Sequence, residues 1–474
     1  MSLNEKTAGK GLQRSAIIVI PWFAKRPKSE NDEAVEGKFF RSSSEHRSRE
    51  EIEEEITGLA NAINLKIQQV CHFNIKRPVS ATLFGKGQLD KAGHVIEDHK
   101  PDVVIVNHAL SPVQQRNLEK KWSCKVIDRT GLILEIFGER ARTKEGKLQV
   151  ELATLKYARS RLVRSWTHLE RQRGGLGFVG GPGETQLEID KRLINQRIDR
   201  LEKDIEQVRK TRNLQRVRRE RHNVPVISLV GYTNAGKSTL FNSLTGENIY
   251  AKDLLFATLD PTIREIDFPE GETALLTDTV GFISDLPTDL IAAFRATLEQ
   301  IQYADVILHV RDISCEDTEA QRQDVIHVLE GLGIDYHGDR RIIEAWNKLD
   351  AMPENTQRTL HNQAALCHNP PAVTLSAKTG RGLDDLKDIL AETLHQDDLR
   401  IRLDIPHAQG RAMSWLHENA RVLEKKQNRE FMTFFIDIDR PAYLRFLSEF
   451  PKIKPESSAH SNEKDTDTNI SQIK

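Results

Sequence analysis

Eight consecutive residues, Gly231-Tyr232-Thr233-Asn234-Ala235-Gly236-Lys237-Ser238, carry two glycines, a lysine and a hydroxyl at the spacing that suits a polyphosphate. The glycines let a loop wrap phosphate oxygens, while backbone N–H groups and the start of a helix supply positive potential. Lys237 is expected to bridge the β- and γ-phosphates and Ser238 to offer its hydroxyl to Mg²⁺. Three further segments follow in the order that a guanine-nucleotide site requires. Asp278-Thr279-Val280-Gly281 supplies a carboxylate for the Mg²⁺ shell and a glycine N–H for the γ-phosphate. In Asn347-Lys348-Leu349-Asp350, the Asp350 carboxylate accepts from guanine N1–H and the 2-amino group together, a pair that adenine lacks. Ser376-Ala377-Lys378 sets the Ala377 N–H where guanine O6 would lie. Each short segment alone is an ordinary turn. All four in order imply a domain that binds GTP and GDP, uses Mg²⁺ as cofactor and hydrolyses GTP.

Closing such a site over Mg²⁺ and the γ-phosphate takes a switch threonine. The segment Phe256-Ala257-Thr258-Leu259-Asp260-Pro261-Thr262 offers two, Thr258 and Thr262, and chemistry alone does not choose between them. Gly281 is followed by Phe282, where many GTPases carry a glutamine that orients the attacking water. Phenylalanine has no hydrogen-bonding group. Slow intrinsic hydrolysis that a partner accelerates is the expectation, although Phe282 also suits plain packing beside the switch.

The elements that must hold these residues read as α/β. Apolar strand patterns at 226–230, 274–277, 306–310, 342–346 and 372–375 alternate with helical ones, which predicts a doubly wound, mostly parallel sheet over 223–397. A second α/β domain is expected over 16–143, with strands at 16–20, 67–71, 103–107 and 125–127. Its first helix, behind a run of glutamates, carries Ile52, Ile56, Leu59, Ala60 and Ile63 on one face. Between the two, Leu148, Leu152, Leu155, Ala158, Leu162, Trp166 and Leu169, then Leu187, Ile194, Ile198, Leu201, Ile205 and Val208, recur every three or four residues or at multiples of that spacing. Those runs predict a projecting antiparallel helical hairpin over 144–222. Its glycine-rich tip, 174–184, holds six glycines and a proline in eleven residues, more than a plain connection needs. Residues 398–453 read as a small α+β domain with a strand at 431–438. The polar ends, 1–15 and 454–474, read as disordered tails.

Charge is distributed unevenly. Over 474 residues, 69 Lys and Arg nearly cancel 70 Asp and Glu, which excludes a uniformly basic or acidic protein. Within 151–222, eighteen basic residues stand against ten acidic ones, and Arg209, Lys210, Arg212, Arg216, Arg218, Arg219 and Arg221 crowd the end of the second helix. A solvated helix face accounts for many such runs, but a long basic hairpin also suits a polyanion. The four cysteines are too scattered for a metal site or a disulfide scaffold. The longest apolar run, 16–24, is broken by Pro21 and followed by Lys25-Arg26, so a buried strand fits better than a leader. A cytoplasmic monomer with no membrane partner is expected.

The segments Gly-Pro-Gly-Glu-Thr-Gln-Leu-Glu at 181–188 with Asp190-Lys-Arg, Asp128-Arg-Thr-Gly-Leu-Ile-Leu-Glu-Ile-Phe, Gly146-Lys-Leu-Gln-Val-Glu-Leu-Ala and Phe256-Ala-Thr-Leu-Asp resemble the signature of the HflX GTPases. The resemblance runs from about 15 to 450. It implies a GTPase that binds the large (50S) ribosomal subunit and its rRNA and separates stalled or idle 70S ribosomes, the tip reaching RNA near the peptidyl-transferase centre. It also selects Thr258 as the Mg²⁺ ligand. The tip departs from the family pattern Gly-Gly-Ile-Gly-x-Arg-Gly-Pro-Gly-Glu, with an extra residue and Phe178-Val179 in place of arginine. That aromatic is able to stack on a base. A GTP-timed binding switch or assembly factor for the large subunit, without splitting, needs the same motifs and stands as the alternative.

Overall fold

Alternation along one central strand organises the first part of the chain. In the computed structural model, β1 (Ser15–Phe23) sends Ala16, Ile18 and Ile20 to one face of a sheet and Ile17 and Val19 to the other. Both faces are therefore covered by helices, as an all-parallel sheet requires. One layer holds α1 (Arg49–Ala62), and the opposite layer holds α2 (Lys86–His99) beyond β2 (Lys66–Ile75). After β3 (Val103–Val106) come α3 (Pro112–Trp122), β4 (Lys125–Asp128) and α4 (Arg129–Arg140), which joins α1. The parallel order is β2-β1-β3-β4. Strand β1 runs through Pro21, past its expected end.

The structure describes residues 13–23, 48–170, 182–220, 224–246, 255–256, 262–268, 273–279, 281–283, 298, 300–396, 398–453 and 455–456. For 162–170, 182–187, 212–220, 441 and 455–456 it describes the backbone alone. The glycine-rich residues 174–181 and the side chains of Arg212, Arg216, Arg218, Arg219 and Arg221 lie outside the described residues, as do both tails apart from residues 13–15 and 455–456.

Two long helices follow, α5 (Lys144–Glu170) and α6 (Pro182–Glu220). Thirty-nine residues give α6 a length of about 58 Å. Part of the predicted seam is present: Leu152, Ile198 and Leu201 are buried between the helices, flanked by Leu148, Leu155, Ile194 and Ile205, while the side chains of Leu162, Trp166, Leu169 and Leu187 lie outside the described residues. Arg197 pairs with Glu151 and Lys156 with Glu202 across it. Helix α6 opens at Pro182, so residues 182–184 form its first turn instead of extending the tip. Proline suits that position because its missing N–H has no partner there anyway.

The base of α5 is fastened by Asp128, which is 1% exposed. Its carboxylate accepts from Gly131 N at 2.8 Å, Leu110 N at 3.1 Å, Tyr157 Oη at 2.6 Å and the Arg161 guanidinium at 2.6 Å. Burial and the Asp128 charge push the Tyr157 hydroxyl well above its usual range, so it stays a donor.

A six-stranded sheet forms next, ordered β10-β9-β8-β5-β7-β6. Its members are β5 (Val226–Val230), β6 (Thr262–Asp267), β7 (Thr273–Asp278), β8 (Val306–Asp312), β9 (Ile342–Asn347) and β10 (Ala372–Thr374). Neighbours are parallel except at β6, an edge strand that the sequence pattern did not reveal and that runs antiparallel to β7. Among the described residues the helices that follow are α7 (Lys237–Thr245), α8 (Thr318–Gly331), α9 (Glu354–Ala365) and α10 (Leu383–Leu394). Under β8, His309 lies 2.6 Å from Tyr336 Oη, which donates to Glu344 at 2.8 Å; Arg311 and Arg322 pair with the same carboxylate. Burial drives His309 down to about 3, so it stays neutral.

By its contacts the chain divides into two compact units, Met1–Lys387 and Asp388–Lys474. In the second, β11 (Leu399–Pro406), α11 (Gly410–Asn419), β12 (Arg421–Gln427), β13 (Phe431–Ile438), α12 (Arg440–Glu449) and β14 (Pro455–Glu456) make a βαββαβ unit. Its antiparallel order is β12-β13-β11-β14, around a core of Leu403, Phe434, Ile436, Leu416 and Phe446. No described helix is long and apolar enough to cross a membrane.

Asp128→Asn should destabilise the first unit by about 3 kcal/mol, because two oxygens serving four donors become one and the partly buried Arg161 guanidinium loses its counter-charge. A urea melt followed by circular dichroism checks it. An unchanged midpoint would mean that Asp128 is not what anchors α5.

Candidate nucleotide site

The loop between β5 and α7 is shaped by what surrounds its glycines. Gly231 has φ +150° and lies against the Val310 carbonyl of β8; a Cβ there would overlap that oxygen. At Gly236, φ +92°, a Cβ would overlap the Asn347 amide. Between them Asn234, also at positive φ, is exposed. The loop is a consequence of parallel β5 and β8 ending side by side at the sheet's switch point.

Lys237 is 6% exposed and turns its ammonium back into the loop, donating to the carbonyls of Tyr232 at 2.7 Å and Gly231 at 3.0 Å. Burial lowers its pKa to about 8, and the nearby Asp278 carboxylate resists that fall. Gly281 faces it: a Cβ at 281 would come within 3.0 Å of the ammonium and 2.9 Å of Thr233 Cγ2. The segment carrying Gly281 is stitched to the loop by Thr233 N to Phe282 O at 2.7 Å and Phe282 N to Gly231 O at 3.1 Å. Thr279 donates to the Leu229 carbonyl at 2.6 Å. The Phe282 side chain is buried with Val230, Leu298, Ile301 and Ala304, so the position after the glycine serves packing.

Ser238 Oγ donates to Asp278 Oδ2 at 2.8 Å. A hydroxyl and a carboxylate side by side are the hard oxygen donors that Mg²⁺ prefers, so these residues fit that ion. Thr262 pairs with Asp278 in the β6–β7 ladder. Ala257, Thr258, Leu259, Asp260 and Val280 lie outside the described residues.

Asn347 holds the two halves of the site together. Its Nδ2 donates to the Ala235 carbonyl at 2.9 Å and its Oδ1 accepts from the Ala377 N–H at 2.9 Å. Asp350, exposed on a short 3-10 turn with Leu349, accepts from Ser376 Oγ at 2.6 Å. Lys348 pairs with Asp312 at 2.6 Å and Lys378 is exposed. The second and third guanine-type segments are thus clasped to the phosphate loop by side-chain bonds.

A further set of residues was not anticipated from the sequence. Tyr232 Oη donates to Glu55 Oε2 at 2.6 Å, and Glu55 pairs through its other oxygen with Arg129, which also donates to Asn107 at 2.9 Å. Glu55 lies on the buried stripe of α1, three residues from Ile52 and four from Leu59. A carboxylate on an apolar face was the available signal. Tyr232, Phe256 and Ile283 all share the core of α1 and α4; Phe256 meets Phe137 edge-on at 4.7 Å.

A mostly parallel sheet that carries this glycine loop with its buried lysine, a carboxylate at a strand end and an Asn/Asp segment clasped beside the loop is that of a P-loop GTPase. Residues 226–348 match the family model described as 50S ribosome-binding GTPase; 50–138 and 140–219 match those for the GTP-binding GTPase N-terminal and middle regions. The chain is 46% identical to GTPase HflX of Magnetococcus marinus over 391 residues, 82% of this chain and 88% of that one. It is 42% identical to GTPase HflX of Escherichia coli over 388 residues, covering 82% and 89%. A GTP-binding protein of Sulfolobus solfataricus, solved with GDP, is a remote likeness at 23% identity and TM-score 0.43, covering 81% of this chain and 99% of that one. The chain belongs to the HflX family of GTPases, and its reaction is the hydrolysis of GTP.

Asn347→Ala leaves the buried Ala235 carbonyl and Ala377 N–H without this partner. At about 1–3 kcal/mol, GTP and GDP affinity should both fall roughly 5- to 150-fold. Fluorescent-nucleotide titration measures it; unchanged affinity would dismiss the clasp.

Proposed function

We propose that this chain is a Mg²⁺-dependent GTPase that docks on the large ribosomal subunit and uses GTP to separate 70S ribosomes into subunits. The observation that carries this reading is the joining of the guanine-nucleotide motifs to a long hairpin with a local excess of eight positive charges. RNA phosphates attract such a surface regardless of sequence. The relatives named HflX and the ribosome-binding family model over 226–348 support it.

In the chemistry, backbone N–H groups of the loop beyond Thr233, whose own N–H is taken by the Phe282 carbonyl, and the start of α7 cradle the phosphates. The Lys237 ammonium, held by two carbonyls, opposes charge on the transferring phosphoryl group. Gly281 leaves room for that group beside Lys237, and its N–H senses the γ-phosphate. Ser238, Asp278 and Thr258 would hold Mg²⁺, which supplies positive charge against phosphate oxygens when bound. Thr262 is committed to the β6 ladder, which favours Thr258 as the switch residue. Asp350, steered by Ser376, accepts from guanine, and the Ala377 N–H meets O6. Phe282 gives nothing to the attacking water, so the free enzyme turns over slowly and docking on the subunit accelerates it.

Two measurements test this. Asp350→Asn should weaken GTP and favour xanthine nucleotides, whose 2-oxo group accepts where guanine donates; equal ATP and GTP affinity in the wild type would remove the assignment. Deleting 175–181 should spare nucleotide binding but abolish stimulation by large subunits and subunit release on a sucrose gradient. Co-migration of intact 70S particles with the wild-type protein and GTP would favour the non-splitting switch instead, and undiminished stimulation in the deletion would make the tip a mere connector.

A further inference from the structure

We propose that Glu55, contributed by α1 of the N-terminal sheet, is a positioning residue for GTP hydrolysis: through the Tyr232 hydroxyl it fixes the loop peptide against which Lys237 holds its ammonium. The inference rests on Lys237 as the phosphate lysine.

Three observations converge on Tyr232. Its hydroxyl donates to Glu55 Oε2 at 2.6 Å inside the protein, the tyrosine being 4% and the glutamate 8% exposed. Its carbonyl accepts the shorter of the two Lys237 bonds, at 2.7 Å against 3.0 Å for Gly231. Its backbone forms a parallel bridge with Phe282, the residue after Gly281. A shift of residue 232 therefore moves the lysine and the γ-phosphate-sensing glycine together.

Packing alone does not call for this arrangement. A phenylalanine would serve as well in the core that Tyr232 shares with Ile56, Leu59 and Phe137, and burying a carboxylate is costly unless it is paired. Here the carboxylate is paired and aimed: Arg129, 7% exposed and itself braced by Asn107, pairs with one oxygen, and the other accepts from the tyrosine. The guanidinium orients the carboxylate, the carboxylate orients the phenol, and the phenol's peptide orients the ammonium. Every link is a hydrogen bond between buried groups, where such bonds are most directional and least screened by water.

The test compares Tyr232→Phe with Glu55→Met/Arg129→Met, which removes both charges together and leaves no lone ion. Tyr232→Phe should lower single-turnover GTP hydrolysis by about tenfold, since small misplacements of a charge-compensating group are expensive in rate. GDP affinity should stay within about twofold and the thermal midpoint within a few degrees. The double replacement should lose the same factor, and adding Tyr232→Phe to it should cost nothing more. Hydrolysis by Tyr232→Phe at the wild-type rate, a fall in stability and affinity without a fall in rate, or additive losses in the triple variant would each overturn the proposal. Should the double replacement fail to fold, Tyr232→Phe decides alone. Lys237→Ala serves as the reference: if it hydrolyses GTP normally, the assignment of Lys237 has failed; if it is crippled while Tyr232→Phe is not, only the positioning role has.

Discussion

A lysine ammonium kept almost wholly out of water sets the conditions that the rest of the site meets. Burial alone would drive Lys237 toward its neutral form, and Asp278 resists this. Two backbone carbonyls must also point inward to take its protons, which forces the sharp path between Gly231 and Gly236. That path brings the loop against Val310 and Asn347, where only glycine fits. Gly281 follows from the same constraint, since a side chain there would crowd the ammonium. The glycines of the nucleotide motifs are thus explained by contacts with protein, before phosphate enters the argument.

The site is built on two sheets. Tyr232 from the 231–238 loop, Phe256 and Ile283 beyond Gly281 are all buried in the core that α1 and α4 form on β1 and β3. Gly58 on α1 lets Leu255 approach, with a Cβ there only 3.0 Å from Leu255 Cδ1. Glu51 closes the Ser48 capping box at the head of α1 and also accepts from the Asp317 N–H at the start of α8. Rearranging any of these segments disturbs close-packed apolar surface as well as hydrogen bonds. The N-terminal sheet therefore belongs to the energetics of the nucleotide site and is more than an appended module.

Local chemistry was legible in the sequence, and long-range convergence was not. The loop 231–238, the strand-end Asp278 and the pair Asn347 and Asp350 were readable as candidates because the role expected of each demands particular residue types at fixed short spacing. The hairpin seam was readable because helical period is local too. Strand β6 escaped because in Thr262–Asp267 the two isoleucines, 263 and 266, stand three apart around the charged pair Arg264-Glu265, so no period-two alternation shows. The bond from Glu55 to Tyr232 spans 177 residues, and no periodicity encodes such a distance. What the pattern did hold was a misfit: glutamate on an apolar stripe. A charge that breaks a hydrophobic face invites the question of what it pairs with.

Adjacent residues of opposite charge show how the hairpin and the loop share a foundation. Asp128 ends β4 and takes Tyr157 and Arg161 from α5; Arg129 begins α4 and takes Glu55, which takes Tyr232. Both side chains are buried, so neither is able to exchange its partner for water without a large desolvation cost. A tilt of α5 against the sheet must either break two short bonds to Asp128 or carry the 128–129 peptide with it. Because Arg129 is the next residue, the second course displaces the guanidinium that aims Glu55. A mechanical load on the hairpin and the shape of the phosphate loop thus meet at one peptide bond, roughly 3.8 Å between α-carbons.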